Sequence, residues 1–115
     1  RQPVYPSNPN TLRPMIQRRT EVRHVVHSLM NEVIEQGFQH LVHHPQQSDE
    51  LNKLVLQASE ELQQQLTEID NHPYREESNA EKVHFRTIAA KAEQRSLELL
   101  AWLQSIQRRD ECYGA

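Results

Sequence analysis

Four polar side chains on two neighbouring helical segments have the types and spacing of a protein-binding surface. Glu60 and Asp70 are ten residues apart in one segment, and Arg86 and Gln94 are eight apart in the next. These separations correspond to nearly three and about two helical turns. Placed charges and an amide give an interface its specificity through salt bridges and hydrogen bonds. We expect the four residues to form one polar footprint across two antiparallel helices.

The histidines suggest two other kinds of chemistry. His40 and His44 are four residues apart, with His43 beside them, and offer ligands for a metal ion. No cysteine is near, and Pro45 ends the helix, so surface histidines explain them more simply and we predict no metal site. His27 lies on a helix, as a phosphoryl-accepting histidine would, but the usual Lys-Gly pair after it is absent. A metal-binding or phosphotransfer bundle remains an alternative.

The sequence offers no sign of enzymatic catalysis or of a cofactor. Cys112 is the single cysteine, lies near the C-terminus and has no histidine close in sequence. No glycine-rich loop precedes a helix, so a phosphate-binding turn is not expected. One cysteine forms no internal disulfide and gives no reason to expect an oxidising compartment. We therefore predict a non-enzymatic protein without a cofactor.

Charge and hydropathy limit the partners further. The net charge is −3, and the small basic patch of Arg18, Arg19, Arg23 and His27 contains Glu21 and no interleaved aromatic residues. Nucleic-acid binding is therefore not expected. The sequence contains no run of about 18 apolar residues, so no membrane-spanning helix is predicted. No targeting leader is visible either. The cytoplasm is the default expectation.

The periodicity of apolar residues predicts an all-α protein, an elongated antiparallel three-helix bundle. Three- and four-residue steps indicate helices over about 13–42, 48–71 and 78–109. Residues 1–12, with prolines three apart, are expected to form an extended arm, and residues 110–115 a frayed tail. The long seams also permit a homodimer.

Local signals mark the ends of these helices. Pro45 and Pro73 each stop the helix before them, since the residue preceding a proline avoids α geometry. Ser78 and Glu81 have the spacing of a capping box at the start of the third helix. Gly37 is a weak point late in the first helix, where the helix is expected to bend or fray.

The second and third helices resemble a BAG domain, the co-chaperone module that binds the ATPase domain of DnaK-type heat-shock chaperones. The resemblance covers about residues 22–109 and depends on LNKLVLQASEELQQQLTEID (51–70) and EKVHFRTIAAKAEQRSLELLAWL (81–103). The family contacts its chaperone through a Glu and an Asp ten apart, and an Arg and a Gln eight apart. Glu60, Asp70, Arg86 and Gln94 match both spacings. The loop between Asp70 and Arg86 is one residue longer than in the family, so a gapless alignment would select Phe85 and Glu93.

The resemblance implies a three-helix bundle that acts as a nucleotide-exchange factor. Its second and third helices would dock on the chaperone's ATPase domain, favour the open form and promote ADP release. Glu60 and Asp70 would meet basic groups, Arg86 a carboxylate, and Gln94 would add a hydrogen bond. The alternative from another class is a generic helical scaffold or dimerisation module whose polar ridges only face solvent.

Overall fold

The architecture consists of three helices joined by short connections. The computed structural model describes residues 18–113, with side chains to residue 109. Its elements are α1 (Arg19–His43), a 3-10 turn (Pro45–Gln47), α2 (Ser48–Asp70) and α3 (Asn79–Tyr113). The predicted all-α three-helix bundle is confirmed. No helix in the described range combines the length and apolar character needed to cross a bilayer.

The ends of the bundle differ from the prediction. Arg18 has an extended backbone (φ −122°, ψ 155°), so α1 begins at Arg19 rather than near residue 13. The predicted arm, residues 1–12, lies outside the described residues. At the other end α3 stays helical to Tyr113, four residues beyond the predicted end. Residues 110–113 contain neither glycine nor proline, and the first helix breaker, Gly114, follows them.

Ion pairs at both ends of the bundle show how the helices run. Near the start of α1, Arg23 pairs with Asp70 at the end of α2, with Nη1 2.6 Å from Oδ2. At the opposite end Arg109 of α3 donates to Glu50 in the first turn of α2 at 2.6 Å. α2 is therefore antiparallel to both neighbours, and the described chain measures 55 × 33 × 21 Å.

The core is a single cluster to which all three helices contribute. On α3 the buried positions follow the predicted steps of four and three, and Ser96, also buried, donates to the Glu93 carbonyl at 2.8 Å. Burying one Leu, Ile or Phe side chain contributes about 1.5–3 kcal/mol. The largest fully buried side chains are Phe85, Met30, Leu51, Leu54, Ile69, Leu99, Leu103 and Ile106.

The first turn of α3 is fixed by a modified capping box. Ser78 Oγ accepts the Glu81 N–H at 3.1 Å, as predicted. The Glu81 carboxylate accepts the N–H of Glu77 at 2.8 Å, one residue earlier than in the usual reciprocal box. Its other oxygen lies 2.9 Å from His72 Nε2, in a pair whose side chains are each only 5% exposed. These contacts position the α2–α3 loop and hence the start of α3.

Gly37 lies at a close approach between α1 and α2. It is buried inside α1, and a Cβ added there would lie 2.8 Å from Val55 Cγ2 and 3.6 Å from Leu54 Cδ2. The helix continues through this position to His43. The glycine therefore accommodates the opposing valine, and the expected fraying at this point does not occur.

Candidate functional site

The four predicted contact residues lie on the two helices expected to carry them. Glu60 and Asp70 are exposed on α2, Gln94 is exposed on α3, and Arg86 is half-buried. α2 presents Glu60 opposite its core seam, because Ala58 and Leu62 on either side of it point inward. The four side chains do not all point to the same side of the bundle.

Asp70 faces α1 and pairs with it. Arg23 Nη1 donates to Oδ1 at 2.7 Å and to Oδ2 at 2.6 Å. The Asp70 side chain nevertheless remains 47% exposed. This carboxylate thus links the first two helices instead of lying in a common depression with Arg86.

Arg86 and Gln94 do meet in one place, a shallow depression on the outer side of α3. Its volume is about 550 Å³, and we call it the α3 depression. Its lining consists of Val83, Arg86, Thr87, Ala90, Lys91, Glu93, Gln94 and Leu97.

Arg86 has unused hydrogen-bonding capacity in this depression. Its Nε is buried, with no acceptor among the described residues. Burying a donor without an acceptor costs roughly 1–3 kcal/mol. Because the Nε atom is itself closed to solvent, a partner would have to be contacted by the other nitrogens of the guanidinium.

Gln94 connects the α3 depression to a second cavity, the α2–α3 cleft. This cleft has a volume of about 320 Å³, and its α2 wall includes Gln64 and Glu68. Glu60 lies one helical turn before Gln64 on α2. A protein that reached across the cleft could therefore touch Glu60 and Gln94 together.

An ion pair that the sequence reasoning missed spans this cleft. Arg95 Nε donates to Glu61 Oε1 at 2.6 Å, and Arg95 Nη1 lies 3.4 Å from Glu98 Oε2. The hydrogen bond to Glu61 is the main reason why the pKa of Arg95 is raised, against the opposing effect of burial. The sequence signal for this ion pair was the presence of opposite charges beside the apolar seams of α2 and α3. The pair fixes α3 beside α2 and so sets the width of the cleft.

The two residues that a gapless alignment would select, Phe85 and Glu93, differ in burial. Phe85 is fully buried and meets the His72 ring edge-on, with centroids 5.2 Å apart. Glu93 is half-buried. Phe85 therefore offers a partner no surface, whereas Gln94 is exposed and Arg86 is half-buried, as Glu93 is.

The histidine pair at the end of α1 is engaged internally. The rings of His40 and His44 stack with centroids 4.2 Å apart, and His40 Nε2 lies 2.7 Å from Gln47 Oε1. Across the part of the chain that the structure describes, no group of three potential metal-binding side chains occurs. His27 is exposed on α1.

The small basic patch also makes internal contacts. Arg23 pairs with Asp70, and Arg19 Nη2 lies 3.1 Å from His72 Nε2. Two of its three arginines thus hold α1 against the end of α2 and the loop that follows. The positive charge of Arg23 is thereby compensated within the bundle.

Comparison with known proteins gives no further guide. No protein-family model, no curated protein and no solved structure matches the chain.

Proposed function

We propose that this protein is a co-chaperone that binds the ATPase domain of a DnaK-type heat-shock chaperone through α2 and α3 and promotes ADP release. One observation supports the site most directly. Within the described residues Glu60, Arg86 and Gln94 form no hydrogen bond or ion pair, whereas nearby charged side chains such as Glu61 and Arg95 do. The similarity of 51–70 and 81–103 to the BAG domain supplies the identity of the partner.

Each side chain suits a particular contact in this proposal. The planar guanidinium of Arg86 favours a carboxylate on the chaperone, because it can donate two parallel hydrogen bonds. Gln94 can donate and accept in the same interface, and Glu60 suits a lysine or arginine. Asp70 already holds Arg23, so it would contribute through its exposed fraction.

Nucleotide exchange would follow from preferential binding to one state of the chaperone. A partner that binds the open ATPase domain better than the closed one raises the open population by the ratio of the two affinities. About 1.4 kcal/mol of preference gives a tenfold shift. No covalent bond changes in this protein, so it acts as a regulator rather than an enzyme. The cytoplasm is the compartment that the proposal implies.

The proposal is tested by release of a fluorescent ADP from a DnaK-type chaperone. We expect the wild-type protein to accelerate release and Arg86→Ala to lose about 1–3 kcal/mol of binding, roughly a 5- to 150-fold weaker half-maximal concentration. Arg108→Ala is the matched control, because Arg108 is an exposed arginine at the far end of the same helix. It should behave as wild type. Absence of acceleration, or equal effects of the two substitutions, would contradict the proposal.

A further inference from the structure

The residues that line the α3 depression follow a regular pattern along the helix. All of them except Lys91 fall into two overlapping sets of four, and in each set the successive steps are three, one and three residues. Residues at these steps are neighbours on a helix surface. In packed helix pairs a side chain of one helix enters a hole formed by four such residues of the other. The first hole is bordered by Val83, Arg86, Thr87 and Ala90, and the second by Ala90, Glu93, Gln94 and Leu97.

The two ends of this pair of holes are apolar and accessible. Val83 is 57% exposed and Leu97 is 60% exposed. Ala90, which the holes share, has only a methyl group as its side chain. Positions 83, 90 and 97 are seven residues apart, the repeat by which a helix packs against another helix. The shape and the apolar positions therefore fit an amphipathic helix, whose anchoring side chains enter a groove at helical spacing.

The charge of the depression indicates which helix fits. Arg86 and Lys91 contribute two positive charges, against one negative charge from Glu93. Both cations lie beside the first hole, since Arg86 is one of its borders and Lys91 follows Thr87 by one helical turn. Complementary charge favours a correct partner and disfavours one of like charge. The depression therefore suits a helix that carries a carboxylate next to the side chain entering the first hole.

We propose that the α3 depression binds a helix of the chaperone's ATPase domain, which inserts two apolar side chains into the two holes and places a carboxylate beside Arg86 and Lys91. The two inserted side chains would be seven residues apart, about 10.5 Å along their helix. The inference rests on the proposed function and adds an apolar contact to its charged contacts. Polar contacts next to a packed apolar anchor are shielded from water, as at the centre of an interface.

The apolar and charged parts of the contact should respond differently to salt. The range of electrostatic interactions falls from about 10 Å at 0.1 M to about 3 Å at 1 M ionic strength, whereas apolar burial is not screened. The loss of affinity caused by Arg86→Ala should therefore shrink between 0.1 and 0.5 M NaCl. The loss caused by Leu97→Gln should persist at both concentrations.

The test is calorimetric binding of the full chain to a nucleotide-free DnaK-type chaperone at both salt concentrations, with thermal unfolding to confirm that each variant is folded. Leu97→Gln should weaken binding about tenfold, because a polar amide replaces the apolar corner of the second hole. Leu56→Gln is the matched control, since Leu56 is a leucine of nearly equal exposure, 59%, on α2. It should bind as wild type does.

A second substitution tests the holes themselves. Ala90→Gln places a long side chain at the corner that both holes share, so it should weaken binding by roughly thirtyfold or more. Ala101→Gln is its control, because Ala101 is an exposed alanine of the same helix, four residues beyond the last border of the second hole. It should change the affinity by less than about twofold.

The outcomes distinguish failure of this inference from failure of the proposed function. A wild-type chain that does not bind the chaperone would overturn both. If wild type binds and Leu97→Gln binds no more weakly than Leu56→Gln, the proposed function stands and the helix contact is wrong. Equal effects of Ala90→Gln and Ala101→Gln, or a Leu97→Gln loss that disappears at 0.5 M NaCl, would overturn the helix contact in the same way.

Discussion

At the scale of single residues, Glu50 joins the two helix ends at the far end of the bundle. Its Oε1 accepts from Arg109 Nη2 at 2.6 Å and from Trp102 Nε1 at 3.2 Å. The hydrogen bond from Arg109 is the main reason why the pKa of Glu50 is lowered, and partial burial opposes it. A carboxyl whose pKa is lowered by folding stabilises the native state above its unfolded-state value, and this contribution is lost as pH falls through the folded-state value.

Glu50→Gln is therefore expected to lower the free energy of unfolding at pH 7 by roughly 1 kcal/mol, a modest effect because the side chain is 35% exposed. The difference from wild type should shrink as the pH falls below about 4, the ordinary glutamate value, because the native carboxylate is then progressively protonated. Urea unfolding at pH 7 and at a series of lower pH values measures it. Glu60→Gln, on the same helix but without an internal partner, is the control and should change stability by less than about 0.5 kcal/mol. A pH-independent loss in Glu50→Gln would contradict this account.

At the scale of elements, periodicity was sufficient to predict the helices but not how they cross. The steps of Phe85, Ala89 and Ala92 predict the buried side of α3 because side-chain direction along a helix repeats every 3.6 residues. Gly37 is different. Its role depends on Val55, eighteen residues away on another helix. No pattern in the local sequence predicts that these two residues face each other. The sequence therefore suggested a weak point where the structure has a tight crossing.

At this crossing we expect a substitution that normally stabilises a helix to lower the free energy of unfolding. Gly37→Ala gains about 1 kcal/mol of helix propensity, but its Cβ would lie 2.8 Å from Val55 Cγ2. Overpacking typically costs 1–3 kcal/mol, so we expect a net loss of about 1 kcal/mol. In a Val55→Ala background the added methyl fits, and Gly37→Ala should become stabilising. Chemical denaturation of the four proteins of this cycle measures the coupling. Additive effects would show that the helices separate freely at this point.

At the scale of the whole molecule, the candidate site depends on the direction in which each helix turns its polar side. Spacing alone predicts that Glu60 and Asp70 share a helix, and Arg86 and Gln94 another. It does not specify on which flank of α2 the first helix lies. Because α1 lies on the flank that carries Asp70, this residue pairs with Arg23, while Arg86 and Gln94 share the α3 depression. Of the four residues, Arg86 and Gln94 lie together. The separation of Asp70 from them could not be predicted, because the sequence does not specify where α1 lies.

The pairing of Arg23 with Asp70 makes a whole-molecule prediction that depends on the proposed function. If Asp70 meets a basic group of the chaperone, Arg23 competes with that group for the same carboxylate. Arg23→Ala should then tighten binding two- to fivefold, since removing a half-exposed ion pair releases about 0.5–1 kcal/mol of competing interaction. The loss of fold stability should not exceed about 1 kcal/mol.

Combining Arg23→Ala with Asp70→Ala distinguishes competition for the carboxylate from a general change in the packing of the bundle. In the presence of Asp70→Ala the gain from Arg23→Ala should disappear, because no carboxylate remains to be released. The measurement is the half-maximal concentration for stimulated ADP release, with thermal unfolding recorded for each variant. Weaker binding by Arg23→Ala would mean that Arg23 itself contacts the partner or holds α2 in the competent position. A gain that persisted without Asp70 would exclude competition for this carboxylate, because the substitution would then be acting through the packing of α1 against α2.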